Sequence, residues 1–304
     1  MRGKLVVREI RGLQRATLAC RYALTAALLL LFLWQDEVDR KICTLWSYCR
    51  RSPWFRHDSF EVLFSTLLFA VWIGVFWTMD HCIPSLRYYR FNVIESKKSM
   101  EADQVRWDEL ISWQGRWRAA GQEVVWYVGP WLLFDLVHPR RHLLLNSAGS
   151  APTAWTLLLQ VAMSLLMYDV SFYAGHRLLH FWPAARSIHA KHHSHGGNIR
   201  AIDSVRHTFI DGAFDVACSV VSLRVVGSHP VARCLHNTAA TFLITEAHSG
   251  YDFPFSPSRI VPGKVLLTPR EHHAHHDRAD VNYSKFFTLW DRLLRTYAGG
   301  VERQ

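Results

Sequence analysis

The chain has 304 residues, a net charge of +10, 50% hydrophobic residues and 20% charged residues. Apolar segments alternate with basic ones along it, which is typical of a polytopic membrane protein. No segment interleaves aromatic and basic residues as nucleic-acid-binding modules do, so we expect basic loops at anionic lipid headgroups and no nucleic-acid partner. The six cysteines form no CxxC pair, which excludes a thiolate zinc or iron–sulfur site of the usual spacing.

Four apolar segments are candidates for membrane helices. Residues 17–34 and 60–79 are each about long enough to span a bilayer core, and residues 123–137 and 154–175 are the next candidates. Basic residues precede and enter the first segment, but no A-x-A-like cleavage site follows it, which favours a retained anchor over a cleaved signal peptide. Residues 208–247 are long enough for a helical hairpin, yet their charged residues predict a segment that is re-entrant or packed inside the protein.

The distribution of Lys and Arg predicts the orientation in the membrane. Loop 80–122 carries seven such residues and segment 138–153 carries two, which places the first in the cytosol and the second across the membrane. Loop 35–58 carries five and weakens this assignment. With the N-terminus inside and four spans, the chain from His176 onward lies at the cytosolic face.

Histidine clusters are the most specific feature of the second half of the chain. Residues spaced i, i+3 and i+4 share one face of a helix, so each cluster can direct two or three imidazoles to one point. Eight clustered nitrogen donors suit a two-metal centre. The clusters are HRLLH with His176 and His180, HAKHH with His189, His192 and His193, and HHAHH with His272, His275 and His276.

Motifs that the chain lacks narrow the chemistry. There is no HExxH of a zinc protease and no ExxH of a carboxylate-rich di-iron site, which leaves an all-nitrogen site. Imidazole binds iron, copper, zinc and nickel alike, so ligand type leaves the metal open. No GxGxxG followed by a helix and no CxxCH occurs, so nicotinamide, flavin or haem must belong to a partner.

Three runs resemble the fatty acid hydroxylase/sterol desaturase superfamily of membrane di-iron oxygenases: YDVSFYAGHRLLHFWPAARSIHAKHH, EAHSGYDFPFSPSRIVP and TPREHHAHHDRADVNYSKFFTLWDRLL. The resemblance covers about residues 160–297. It implies an all-α fold, a polytopic membrane helical bundle with a cytosol-facing, histidine-rich di-metal domain. The short spacing from His180 to His189 separates the chain from acyl-CoA desaturases. The segment from His248 is similar to the cholesterol 25-hydroxylase and C4-methylsterol oxidase branches.

The resemblance implies nine metal ligands, namely the eight clustered histidines and His248. The family often supplies a tenth ligand from the position four residues before His248, where this chain has Ile244. Either His207 or water would then complete the second metal. The family's last box commonly begins with a histidine, and this chain has Glu271 at that position. This difference affects the expected surroundings of the ligands and leaves the ligand set unchanged.

Three further residues carry expectations about the surroundings of the metals. His273 is turned about 100° away from His272 on a helix, so we expect it outside the metal cage, either donating a hydrogen bond to a ligand or solvated. Asp169 lies two helical turns before His176 and either orients a ligand imidazole or makes a simple buried hydrogen bond. Asp291 is a candidate support for a ligand. No catalytic residue beyond the metal ligands is expected.

The resemblance, together with these features, implies a membrane-bound oxygenase with two Fe ions that uses O2 as co-substrate and hydroxylates a sterol side chain or a long-chain lipid. It also implies an electron donor such as cytochrome b5 and its NAD(P)H-dependent reductase, with the active site facing the cytosol at the endoplasmic reticulum. Oxidation of a sterol 4-methyl group, or hydroxylation or desaturation of another lipid, is the alternative within the class. A membrane metal-binding or transport protein and an inactive scaffold are the alternatives outside it.

The predicted organisation has four parts. Residues 1–58 form a basic N-terminal segment and membrane anchor, and residues 59–153 form transmembrane helices with a cytosolic loop. Residues 154–298 form the di-iron catalytic domain, and residues 299–304 form a tail.

Overall fold

The described part of the protein is mostly helical. A computed structural model describes residues 2–91, 129, 132–133, 136–137, 150–194 and 199–300, and the side chains of these residues except 2–11 and 87. Within these ranges there is no β-strand, and the extended pairing consists of two isolated bridges, Arg90 with Tyr251 and Leu266 with Phe287. The predicted all-α class is therefore confirmed.

Residues 2–91 contain four helices. Ser52 shows how local sequence sets a boundary, because its side chain accepts a hydrogen bond from the Phe55 amide while Pro53 occupies the first helical position. A short 3-10 segment, Pro84–Tyr89, follows the last of the four. The helices are α1 (Arg2–Leu33), α2 (Gln35–Cys49), α3 (Pro53–Arg56) and α4 (Phe60–Cys82).

The described residues between 150 and 300 contain seven helices. The first two are separated at a proline: one ends at Phe181 and the other begins at Pro183, since Trp182 between them is extended. Short 3-10 segments lie at Ala201–Val205 and Pro262–Lys264. The helices are α5 (Ala154–Phe181), α6 (Pro183–His189), α7 (Phe209–Val225), α8 (Pro230–His248), α9 (Pro257–Ile260), α10 (Pro269–Arg278) and α11 (Leu289–Leu293).

Three helical segments are long and apolar enough to cross a membrane: Gly12–Leu33, Phe60–Cys82 and Ala154–Phe181. They agree with three of the four predicted spans. Most of the fourth, 123–137, lies outside the described residues. The polytopic membrane architecture is thus supported by length and composition.

The predicted hairpin at 208–247 forms α7 and α8. Its turn contains Gly227 at a φ of +64°, a left-handed conformation that a glycine adopts without a Cβ clash. Helix α7 packs on α5, and α8 packs on both α4 and α5. Neither helix is among the described segments that are long and apolar enough to span. The re-entrant or packed character of the hairpin stays a prediction.

A buried ion pair joins α4 to α8. The Arg233 guanidinium donates to the Glu61 carboxylate at 2.8 and 3.1 Å, and the Asn237 side-chain amide donates to the other carboxylate oxygen at 3.1 Å. Charges placed among apolar helices must be paired, so this contact specifies how α4 and α8 align.

One apolar core lies between α4, α5, α7 and α8. Because these helices pack around it, the C-terminal ends of α5 and α8 are held close to α10, which contacts α8. These ends carry the histidines described below. The buried core side chains are Val62, Phe69, Leu165, Tyr168, Phe172, Val205, Val216, Cys218, Val220, Ala240, Ile244 and Phe286.

Candidate metal centre

Nine imidazoles converge in two adjacent groups. Within each group, one ligand atom from every residue lies within 4.8 Å of the others. All nine histidines predicted as ligands are members, and no tenth residue joins them among the described ranges. The five-histidine group contains His176, His180, His189, His193 and His275, and the four-histidine group contains His192, His248, His272 and His276.

The first histidine box lies on the last turns of α5. His176 and His180 are one helical turn apart, so their side chains share a face, and their Nε2 atoms are 3.2 Å apart. Both belong to the five-histidine group, as the i, i+4 spacing predicts.

The second box is divided between the two groups. Helix α6 ends at His189, and His192 and His193 lie in the turn that follows. His193 Nε2 is 3.1 Å from His189 Nε2 in one group, whereas His192 Nε2 is 3.3 Å from His248 Nε2 in the other. Two of the three histidines of this box therefore serve one point, and His192 serves the other.

Helix α10 carries the third box and begins with a capping box. The Thr268 hydroxyl accepts from the Glu271 amide at 3.1 Å, and the Glu271 carboxylate accepts from the Thr268 amide at 2.8 Å. The same carboxylate accepts a hydrogen bond from the Tyr297 hydroxyl. Glu271 thus stabilises the start of the helix that carries the ligands, and the TxxE pattern in the sequence carries that signal.

The third box is divided as well. His272 and His276 are one turn apart on α10 with Nε2 atoms 3.1 Å apart, and both join the four-histidine group. His275 lies about 100° around the helix from His276 and therefore faces the five-histidine group. His273 lies outside both groups, as predicted, with its ring 5.4 Å from that of Phe91. It is only 7% exposed, so the expectation of a solvated side chain is wrong.

Backbone carbonyls determine which nitrogen of several imidazoles carries the proton. His176 Nδ1 donates to the Tyr283 carbonyl, His275 Nδ1 to the Val281 carbonyl and His248 Nδ1 to the Ile244 carbonyl, each at 2.7 Å. A carbonyl oxygen only accepts hydrogen bonds, so the proton lies on Nδ1 and the lone pair lies on Nε2.

Asp211 determines the same tautomer for His189. Its carboxylate accepts from His189 Nδ1 at 2.9 Å. Burial by itself would raise the pKa of Asp211, but its interaction with His189 outweighs burial and the pKa is lowered. The sequence reasoning missed this residue as a support for the metal site, because it lies 22 positions from His189 on a different helix and no spacing rule connects them.

The separations between facing imidazole nitrogens fit ligands of a common metal ion. His176 Nε2 and His189 Nε2 are 3.0 Å apart, yet each presents a lone pair and neither has a proton to donate. Such a contact is repulsive unless a cation lies between the lone pairs. Metal–nitrogen bonds of about 2.0–2.1 Å at right-angled or tetrahedral geometry place two ligand nitrogens about 2.9–3.4 Å apart. The observed separations of 3.0–3.3 Å lie in that range.

Burial favours the neutral form of several clustered imidazoles. Burial first, and the neighbouring imidazoles second, hold the pKa of His192, His272 and His276 well below the ordinary value. Burial lowers the pKa of His248 to about 4. Metal binding requires the neutral imidazole, so the site is ready for it at neutral pH.

Asp291 supports the loop that accepts the proton of His176. Its carboxylate accepts from the Tyr283 amide at 2.8 Å and from the Ser284 amide at 2.9 Å. The Tyr283 carbonyl in turn accepts from His176 Nδ1. Asp291 therefore acts on this histidine through the backbone.

Asp169 holds the next residues of the same loop. It accepts from the amides of Lys285 and Phe286 at 2.7 and 2.8 Å. It makes no described hydrogen bond to His176, whose Nδ1 is taken by a carbonyl. Of the two predicted roles for Asp169, the geometry matches the simple buried hydrogen bond.

His207 lies beside the four-histidine group without belonging to it. It is buried, and its ring centre is 6.0 Å from that of His192. Its predicted role as a tenth ligand stays a prediction.

The sequence of this region matches a known family. The fatty acid hydroxylase family model matches residues 161–296. Human cholesterol 25-hydroxylase is 31% identical over 150 residues, which cover 48% of this chain and 54% of that protein. Methylsterol monooxygenase erg25B of Aspergillus fumigatus is 30% identical over 53% of this chain and 55% of that protein. A cholesterol 25-hydroxylase-like protein of Danio rerio is 26% identical over 81% of this chain and 91% of that protein.

The matches to the human and fungal proteins therefore span about half of their lengths. No solved structure gives a significant match. The matched residues contain all nine clustered histidines. Eight of them lie in the three boxes, and His248 lies between the second box and the third. Residues 161–296 thus match the fatty acid hydroxylase domain, with its three histidine boxes in place.

Proposed function

We propose that this protein is a membrane-bound oxygenase that uses O2 and two external electrons to hydroxylate a sterol or another long-chain lipid. One observation carries the proposal: two groups of imidazoles direct their ring nitrogens to common points beside the C-terminal end of α5, a membrane-capable helix. The names of two relatives, a cholesterol 25-hydroxylase and a methylsterol monooxygenase, indicate the same reaction class.

The proposed cofactor is a pair of iron ions, one in each histidine group. Bound there, the two ions supply the reactivity towards O2 that oxidation of an unactivated C–H bond requires. Five imidazoles would hold one ion and four the other, with His207 or a solvent molecule completing the second group. Asp211 and the Tyr283, Val281 and Ile244 carbonyls keep the ligand tautomers correct, since each accepts from an Nδ1 proton.

The substrate class follows from the relatives and the apolar helices that carry the site. Hydroxylation of a sterol side chain is the leading proposal, because cholesterol 25-hydroxylases are among the relatives. Oxidation of a sterol 4-methyl group is the second candidate, because a methylsterol monooxygenase matches at a similar identity. We assign this activity to residues 154–298.

External electrons reach the site from its polar side in this proposal. A recess of about 390 Å³ opens beside His180 and His193 of the five-histidine group and is flanked by Arg186 and Arg278. A membrane-bound cytochrome b5 with its NAD(P)H-dependent reductase is the proposed donor. Its position requires the recess to face the cytosol, and the endoplasmic reticulum is the proposed membrane.

The position of the histidines favours this enzyme over a metal transporter. Transport would place ligands along the spans near the middle of the membrane. His176 and His180 instead lie within the last six residues of the 28-residue α5, and the other seven lie outside the described membrane-capable segments.

Expression in membranes without endogenous sterol hydroxylases tests the proposal. Lipid extracts with and without the protein are compared by mass spectrometry, with a His176→Ala variant as the control. A sterol that gains one oxygen only with the unmodified protein supports the proposal, and the position of the oxygen separates the two candidates. Unchanged sterols and lipids, at confirmed expression and metal loading, would contradict it.

A further inference from the structure

A small cavity lies between the two histidine groups. Its volume is about 30 Å³, enough for a ligand of about two or three heavy atoms on the scale at which one water needs about 10–15 Å³. Its lining includes His176 and His189 of the five-histidine group and His192, His248 and His272 of the four-histidine group. A ligand in this cavity would therefore contact both groups.

Lys285 and Asp215 also line this cavity. The Lys285 ammonium forms an ion pair with the Asp215 carboxylate, and the two side chains are 12% and 14% exposed. Neither residue belongs to a histidine box, and neither is needed to explain the ligand geometry. A buried ion pair is costly to desolvate and is often replaceable by apolar side chains, so its presence at this position calls for a function.

Several contacts fix the ammonium of Lys285. It lies 4.1 Å from the ring centre of Phe172, which also lines the cavity. The Lys285 amide donates to Asp169, and the Tyr168 hydroxyl donates to Asp215 at 2.7 Å. The charge is therefore held in place on a well-anchored loop.

Lys285 lines the same cavity as three residues of the four-histidine group, His192, His248 and His272. In an enclosed site of low dielectric, a fixed positive charge stabilises an anionic ligand strongly.

We propose that this cavity binds a small anion of two or three heavy atoms, the class to which reduced dioxygen belongs, and that the Lys285 ammonium is its charged contact. The inference rests on the proposed function, because the ligand lies between the two metal-binding groups. Asp215 and Tyr168 position the ammonium, and Phe172 closes its apolar side.

Azide titration of the purified, iron-loaded and air-oxidised full chain, followed by absorption spectroscopy, tests the inference. Lys285→Met and Asp215→Asn both remove the same ion pair, but only the first removes the positive charge. Loss of a hydrogen bond to a charged group corresponds to about 10–100-fold in affinity, so we expect Lys285→Met to weaken azide binding by about this factor. Asp215→Asn should bind azide at least as tightly as the unmodified protein, and Lys285→Arg should stay close to it.

Three results would overturn the inference. The first is unchanged azide affinity in Lys285→Met, and the second is equal weakening in Lys285→Met and Asp215→Asn, which would make the pair structural. The third is loss of iron in both Lys285→Met and Lys285→Arg. Iron content measured beforehand separates the two proposals. An unmodified chain without iron would contradict the proposed function. Binding of iron and azide that does not depend on Lys285 would contradict only this inference.

Discussion

His272 and His273 form a matched pair for testing the metal centre. They are neighbours on α10 and are 8% and 7% exposed, so replacement of either by alanine removes a similar buried ring. Only His272 faces other ligands, with its Nε2 3.1 Å from those of His248 and His276. His273 packs against Phe91 instead. The packing loss therefore nearly cancels between the two variants, and the difference reports metal binding.

The expected magnitude follows from the size of the four-histidine group. Binding of a structural zinc ion by four protein ligands contributes about 10–16 kcal/mol, which as a guide is about 3 kcal/mol per ligand, or about a hundredfold in affinity. We expect His272→Ala to lose one of about two metals per chain under mild chelation. His273→Ala should keep both metals and lose only about 1–3 kcal/mol of stability, as typical buried substitutions do.

Elemental analysis of purified protein across a chelator series measures this difference. A thermal unfolding curve of each variant in detergent serves as the control for folding. Loss of metal in His273→Ala with full metal content in His272→Ala would refute the ligand register on α10.

Three further predictions concern other parts of the centre. His248→Ala should lower metal content to about one per chain although His248 lies outside the three boxes, and elemental analysis showing full content would remove it from the site. Asp211→Asn should weaken metal binding about 10–100-fold by releasing the His189 tautomer, whereas an unchanged chelator midpoint would count against this role. The metal-free protein should lose thermal stability as the pH falls below about 6.5. Burial lowers the folded-state pKa of His193 to about 3 and of His248 to about 4, so the unfolded chain binds protons first, and a midpoint independent of pH between 6.5 and 4 would contradict this.

Much of the fold and of the histidine arrangement is predictable from local pattern. Hydropathy over about twenty residues identifies the segments corresponding to α1, α4 and α5, because a membrane helix is a property of contiguous sequence. The i, i+4 spacing likewise brings His176 together with His180 and His272 together with His276.

The division of the boxes between two groups is not predictable in this way. It depends on which elements lie on either side of the second box and of α10, because in both boxes the i and i+4 histidines join one group and the i+3 histidine joins the other. The hydrogen-bond acceptors of the ligand imidazoles are harder still to predict, because Asp211 and the Tyr283 and Val281 carbonyls reach the ligands through tertiary packing. Every residue has a backbone carbonyl, so a sequence pattern does not indicate which carbonyl will accept.

Insertion of an oxygen atom from O2 into a lipid is the reaction that we propose for this chain. Membranes that contain the full chain, an NAD(P)H-dependent electron donor and isotope-labelled O2 provide the most direct test, with lipid products analysed by mass spectrometry. We expect a sterol or long-chain lipid that carries one labelled oxygen atom and that is absent with His176→Ala. A hydroxylated product carrying only oxygen from water, or the same product from the His176→Ala variant, would contradict the proposed reaction.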